Sequence, residues 1–251
     1  MTRLDVLCVS LGLVESRTKS KNLILEGKVS VDGKTIKKPS ELVDENSIIT
    51  ILHPEEEYVS RGALKLLHAI ETFNINVLDM ICVDIGASTG GFTEVLLKKC
   101  AKKIYAVDVG KNQLHSKIKA NENVISIEET NARTLNKDSF PDEISVVVMD
   151  VSFISQTLIY PAISSFLKKD GIFISLVKPQ FEVGKENIGK GGIVKNEKLY
   201  PKVIEKIKLE GEKNGLKILN CVPSPIEGGD GNKEFLAYFI NMGVSYFDKS
   251  N

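Results

Sequence analysis

One stretch constrains this chain more than any other: Ile81-Cys-Val-Asp84-Ile-Gly86-Ala87-Ser88-Thr-Gly90-Gly91-Phe92. Ile81, Val83 and Ile85 give it the apolar character of a buried strand. Gly86, Gly90 and Gly91 permit positive φ and close approach of backbone to a ligand. A helix start follows, whose free N–H groups point into the turn. The spacing is Gly-x-x-x-Gly-Gly, which is not the Gly-x-Gly-x-x-Gly of a dinucleotide binder. Asp84 is expected at the strand's end, facing a cation, an amine or a ribose. A second acid, Asp108, closes the next apolar run, 24 residues after Asp84. That is where doubly wound folds hold a ribose diol.

The rest of the C-terminal part repeats this rhythm. Val124–Ile127, Ser145–Asp150 and Gly171–Pro179 read as further strands, and residues 198–214 as a helix. Lys217–Cys221 and Phe235–Ile240 read as two last strands joined by a loop. Alternating strands and helices predict an α/β fold with a mostly parallel, doubly wound sheet of seven strands. Ligands sit at the carboxyl ends of such strands. Asp84, Asp108, Asn131, Asp150 and Lys178 all fall at those ends. Gly184-Lys-Glu-Asn-Ile-Gly189-Lys190-Gly191 superficially fits a P-loop, but Gly191 stands where the magnesium-ligating hydroxyl belongs. It is read as a mobile, glycine-rich, basic loop placed to close over substrate.

The first fifty residues are a different kind of sequence. Leu4, Leu7, Cys8 and Leu11 follow helical spacing, and Gly12 ends that helix. Ser16 caps a second helix that carries Leu23 and Ile24 and stops at Gly27. Val29–Ile36 reads as a hairpin around Asp32-Gly33, and Ile48–Leu52 as a closing strand. The whole chain is neutral, with 33 bases against 33 acids. Between Arg17 and Lys38, however, seven bases face two acids. Such a patch is either a solvated face or a surface for a phosphate backbone. His53-Pro54-Glu55-Glu-Glu57 breaks the pattern, so domains are expected at 1–53 and 60–251 with a linker at 54–59. Ser60 is a plausible cap for a helix with an Ala63, Leu66, Leu67, Ile70 and Phe73 stripe. Lys65 lies off that stripe and reads by pattern as a solvated lysine.

Several classes are excluded or disfavoured. No apolar run approaches the ~18 residues of a membrane span. The N-terminus lacks a secretion-signal core, and four scattered cysteines suggest neither disulfides nor zinc, so a cytoplasmic protein is expected. His53, His68 and His115 are isolated, and no metal is called for.

The motifs resemble known families. Arg3-Leu-Asp5, Glu15-Ser16-Arg17, Leu23-Ile24-x-x-Gly27, Val31-Asp32-Gly33 and Lys38-Pro39-Ser40 resemble the S4 RNA-binding domain, a small α+β module. That likeness implies structured RNA as a partner, met by Arg3, Arg17, Lys19, Lys21, Lys28 and Lys34, with Arg61 beyond the linker. The turn at Asp84–Phe92 and Asp108 look like the S-adenosylmethionine site of a class I methyltransferase. Ser60-Arg61-Gly62-Ala63-x-Lys65, Asp150-Val-Ser152-Phe153, Lys178-Pro-Gln-Phe-Glu-Val183-Gly184 and Asn232-Lys-Glu234-Phe235 resemble the FtsJ-type RNA 2′-O-methyltransferases. Taken end to end, the chain resembles the TlyA family, a name shared with haemolysins. The resemblance implies a catalytic set of Lys65, Asp150, Lys178 and Glu234. It implies S-adenosyl-L-methionine held by Asp84, Gly86, Ala87, Ser88, Gly90, Gly91, Phe92, Asp108 and Asn131. It implies ribosomal RNA or a ribosomal subunit as substrate, modified at cytidine. One departure stands out: where TlyA chains often carry Arg-Ala-Trp-Val, this chain has Glu56-Glu57-Tyr58-Val59. A pore-forming haemolysin and a ribosome-assembly factor with a vestigial cofactor site are the competing expectations.

Overall fold

The computed structural model describes residues 1–51, 58–228 and 231–243. The chain divides into two compact units, Met1–Glu57 and Tyr58–Asn251. Pro54 to Glu57 of the expected linker, and the end of the expected strand at Leu52, lie outside the described residues.

The first unit has the order β1 (Thr2–Arg3), α1 (Leu4–Ser10), α2 (Arg17–Leu25), β2 (Val29–Val31), β3 (Lys34–Ile36), β4 (Leu42–Val43) and β5 (Ile49–Ile51). Ser16 caps α2, its hydroxyl accepting from Lys19 N at 3.3 Å. Asp32 and Gly33 take φ of 48° and 81°, the paired positive values a two-residue hairpin turn requires. β2 pairs antiparallel with both β3 and β5. The pairing of β1 with β4 is short and carried no pattern in the sequence. Leu4, Cys8, Ile24 and Val29 are fully buried and form the unit's own small core.

The second unit is a sheet covered on both faces. Its elements are α3 (Ala63–Thr72), β6 (Ile81–Ile85), α4 (Gly91–Lys98), β7 (Lys103–Val107), α5 (Ser116–Lys119), β8 (Val124–Ile127), β9 (Ile144–Met149), α6 (Tyr160–Phe166), β10 (Leu167–Val177), α7 (Tyr200–Lys213), β11 (Leu216–Pro223) and β12 (Phe235–Asn241). The strand order is β11-β12-β10-β9-β6-β7-β8. Six strands point the same way, and only β12 of this sheet runs against them, antiparallel between β10 and β11. Alternate residues feed opposite layers. Val83, Ile85, Val147 and Met149 pack with Tyr160, Ile163 and Ile207 of α6 and α7. Cys82, Val146 and Val148 pack with Leu66, Ile70, Val95 and Leu96 of α3 and α4. Each fully buried aliphatic side chain contributes about 1.5–3 kcal/mol of transfer free energy. A strand apolar on both faces is therefore held between two helical layers.

Two boundaries differ from the sequence reading. β10 begins at Leu167, four residues before Gly171, because Leu167 already pairs with Ile144 ahead of a bulge. α3 has Gly62 at its cap without a side-chain bond; Ser60, two residues earlier, instead accepts from Gly62 N at 3.2 Å.

Candidate active site

The turn after β6 is built by packing. Gly86 has φ +80°, and a Cβ there would run into the Asp150 carbonyl. Gly90 has φ +98°, and its Cβ would lie 2.9 Å from Leu114 Cδ1. A Cβ at Gly91 would collide with the Ser60 hydroxyl. Gly86 and Gly90 take the expected positive φ, and the glycines also let neighbouring segments of the protein close on the turn. α4 starts directly behind, with no side chain capping its first N–H groups.

The acids occupy distinct places. Asp84 lies within β6, not at its end, and is completely buried. Its Oδ2 accepts from Thr93 Oγ1 at 2.6 Å, while Oδ1 has no partner. Burial above all, then the neighbouring Asp150 and Asp108 charges, push its carboxyl up to about 7 against the opposing pull of Thr93. Asp108 follows β7 and accepts from Ser88 N and Gly110 N, both at 2.7 Å. Asn131 lies four residues past β8, where its side chain caps a short 3-10 turn by accepting Arg133 N.

Asp108, Asn131, Gly86, Ser88 and Asp150 line a cavity of about 430 Å³ at the carboxyl edge of the sheet. A smaller recess of about 170 Å³, lined by Ser60, Ala87, Ser88, Gly91, Phe92 and Asp150, shares that turn. Two carboxylates, Asp108 and Asp150, line this cavity, and a third, Asp84, is buried in β6 just before the turn with one oxygen lacking a hydrogen-bond partner. The donor set therefore fits a ligand that carries positive charge and a ribose, as S-adenosylmethionine does.

Asp150 and three further expected residues, Lys65, Lys178 and Glu234, form two ion pairs; of these four only Asp150 itself lines the larger cavity. Asp150 follows β9 and Lys178 follows β10, and Lys178 Nζ stands 2.5 Å from Asp150 Oδ1. The same Nζ donates to Ser152 Oγ at 2.8 Å. Glu234 precedes β12, whose Phe235 pairs with Val177, so antiparallel register sets Glu234 opposite Lys178. Lys65 reaches in from α3 and donates to Glu234 Oε2 at 2.5 Å. Lys65 is 6% exposed and Glu234 3%. The solvated lysine read from the pattern is thus incorrect: its partner is 169 residues away and invisible to helical periodicity.

Further residues at this edge had no role in the sequence reading. Phe153 is 92% exposed with φ 63°, a costly conformation for a bulky side chain. Its ring stands 5.3 Å from that of Phe181. Glu94 is buried on α4 and accepts Val59 N at 2.6 Å. Asn232 is buried, accepts Val194 N at 3.1 Å and donates to Gly192 O at 3.0 Å, fastening the glycine-rich loop.

In the first unit, Arg3 and Arg17 both hold the buried Asp5. Arg3 Nε and Nη2 bond its two oxygens, and Arg17 Nε stands 3.0 Å from Oδ2. These contacts, Arg3's first, hold the Asp5 carboxyl down at about 2. Both guanidiniums keep an outer edge, their side chains being 42% and 53% exposed. Lys21, Lys34 and, in the second unit, Arg61 are exposed; Lys28 sits 3.0 Å from Glu26 and Lys19 3.9 Å from Glu15.

The sheet order, the glycine turn and its acids define a class I methyltransferase of the S-adenosylmethionine-dependent fold. Residues 58–240 match the FtsJ-like methyltransferase family and residues 2–49 the S4 domain. Hemolysin A of Brachyspira hyodysenteriae is 45% identical over 95% of this chain and 99% of its own length. The 16S/23S rRNA (cytidine-2'-O)-methyltransferase TlyA of Mycobacterium tuberculosis is 38% identical over 94% of this chain and 88% of its own. A solved Streptococcus thermophilus structure that carries a hemolysin name is 42% identical, with a TM-score of 0.73, and covers 95% of this chain and 88% of its own. The chain belongs to the TlyA family, in which an S4 domain precedes an FtsJ-like methyltransferase domain. Among the described residues no helix is long and apolar enough to cross a membrane.

Proposed function

We propose that the protein methylates a ribose 2′-hydroxyl of ribosomal RNA, at a cytidine, with S-adenosyl-L-methionine as donor. The observation that carries this reading is the meeting of Lys65, Asp150, Lys178 and Glu234 as two ion pairs beside the acid-lined cavity. S-adenosylmethionine would supply an activated methyl with its leaving group built in. The remaining difficulty is the nucleophile, since a ribose hydroxyl is a weak one at neutral pH. Lys178 and Asp150 provide one cation and one proton acceptor 2.5 Å apart. Together they take up the hydroxyl proton and stabilise the charge that develops on oxygen. Ser152 holds Lys178 from a second side. Lys65 and Glu234, withdrawn from solvent, hold the ribose side of the site in place.

The donor would be held by Asp108 at its ribose and by the turn Gly86–Phe92 beneath its methionine part, with Ala87, Ser88, Gly90 and Gly91 shaping that turn. Asn131 would meet the adenine, and Asp84 would supply negative charge from within β6. The S4 unit would grip structured RNA through Arg3, Arg17, Lys19, Lys21, Lys28 and Lys34, joined by Arg61. The names of the relatives support ribosomal RNA and cytidine.

The test is transfer of labelled methyl to purified small and large ribosomal subunits from cells lacking the enzyme, followed by mapping of 2′-O-methyl positions. Label at one or a few cytidines is expected. Label confined to bases, or none on either subunit despite donor binding, would refute the reading. Lysis of red cells by purified protein without donor would favour the haemolysin instead.

A further inference from the structure

The two loops that carry Asp150 and Lys178 are tied together by a buried carboxylate that takes no part in the chemistry above. Glu182 lies four residues after Lys178, and its side chain is 1% exposed. Its Oε1 accepts Gln156 N at 2.9 Å. Its Oε2 accepts Ser155 Oγ at 2.7 Å and Lys206 Nζ at 2.7 Å. Lys206 reaches in from α7 and donates also to the Glu182 carbonyl at 3.3 Å. Ser155 and Gln156 belong to the loop that starts at Asp150. The tie continues inward: Gln156 Oε1 accepts from Ser175 Oγ on β10 and from Tyr160 OH on α6.

An ion pair between a buried carboxylate and a Lys206 side chain that is 41% exposed is weak as a source of stability, because water screens the lysine while desolvation of the carboxylate offsets Coulomb gain. Its value lies in geometry. Between the two arms of this tie stand Lys178 on Asp150 and Ser152, and Phe153 against Phe181. Phe153 keeps its strained φ only while its surroundings dictate it. Both contacts need the Asp150 loop and the Lys178 loop at one fixed separation, and Glu182 bonds to one loop from within the other.

We infer that Glu182 is a positioning residue, with Lys206 as its counter-ion, which sets the spacing of the two loops so that Lys178 and Phe153 meet the ribose in register. This rests on the methyltransferase reading of the site for its functional meaning, but the spacing itself can be read without activity.

The experiment pairs hydrogen exchange with single-turnover methyl transfer at saturating donor and subunit, on the full chain. Glu182→Gln leaves a donor facing Lys206 Nζ. It is expected to speed amide exchange in residues 150–156 and 178–183, and to slow transfer by about 10²-fold while donor affinity stays within about twofold. Lys206→Met should reproduce the defect, and Lys206→Arg should rescue it. If Glu182→Gln does not accumulate folded, Ser155→Ala carries the same test with a smaller slowing. Unchanged exchange in both loops, or donor affinity falling in step with rate, would overturn the inference. No transfer by the unaltered protein, with exchange responding as expected, would refute the function and leave the positioning role standing.

Discussion

The two ion pairs at the sheet edge have the same chemistry and opposite settings. Lys65 and Glu234 are sealed, their side chains 8% and 2% exposed. Lys178 and Asp150 are 13% and 24% exposed and border the cavity through Asp150. A sealed pair cannot lose one member without leaving a buried charge, whereas an opened pair can exchange its partner for a substrate oxygen. Under the proposed function this difference makes the first pair the support and the second the reacting pair.

The strongest way to break that division is to halve the sealed pair. Glu234→Gln should lower unfolding free energy by about 3–5 kcal/mol by stranding Lys65. Denaturant titration checks this, and a loss below about 1 kcal/mol would place Lys65 in contact with water. The next effect sharpens the contrast between the two units. Lys21→Glu together with Lys34→Glu should weaken subunit binding and flatten its salt dependence, the log–log slope falling by about one for each phosphate no longer neutralised. Donor affinity should not move, since these residues lie in the unit without the cavity. Phe153→Ala should slow transfer by about tenfold by removing an exposed face on which a base can stack, worth about 1–3 kcal/mol. Its unfolding midpoint should hold, because the ring is exposed and alanine keeps the left-handed strain at φ 63°, which only glycine would relieve.

The smallest effect belongs to Asp84. Its folded carboxyl sits at about 7, above its unfolded value, so the protonated acid favours the folded state. That contribution is complete below the unfolded value near 3.8 and is lost as pH rises through about 7. A cationic donor bound nearby reverses the preference and should expel part of one proton near neutral pH. Calorimetry in buffers of different ionisation enthalpy measures it, and Asp84→Asn should abolish the proton release.

Local features of the sequence were readable because their physics is local. The Asp32-Gly33 hairpin, the Ser16 cap, the apolar strands and Asp108 each announce themselves within a few residues. Residues whose meaning depends on a distant partner did not. Lys65 on an amphipathic helix looks like any solvated lysine until Glu234 is brought to it. Asp5 looks like an ordinary acid in a first helical turn, yet it is buried and holds both Arg3 and Arg17. Glu182, between an aromatic and a valine, carried the faint signal of a charge in an apolar context. Asp84 is expected at the strand's end and stands one residue inside it; its burial against Thr93, nine residues on in α4, is a contact that strand alternation does not reveal.

The most direct test of the division between the pairs is Lys178→Ala, measured for donor affinity, unfolding midpoint and single-turnover transfer. The predicted result is affinity within about twofold, an unchanged midpoint, and transfer reduced by about 10²–10⁴-fold. Transfer near the unaltered rate would contradict the account, because the reactive pair would then not be Lys178 and Asp150.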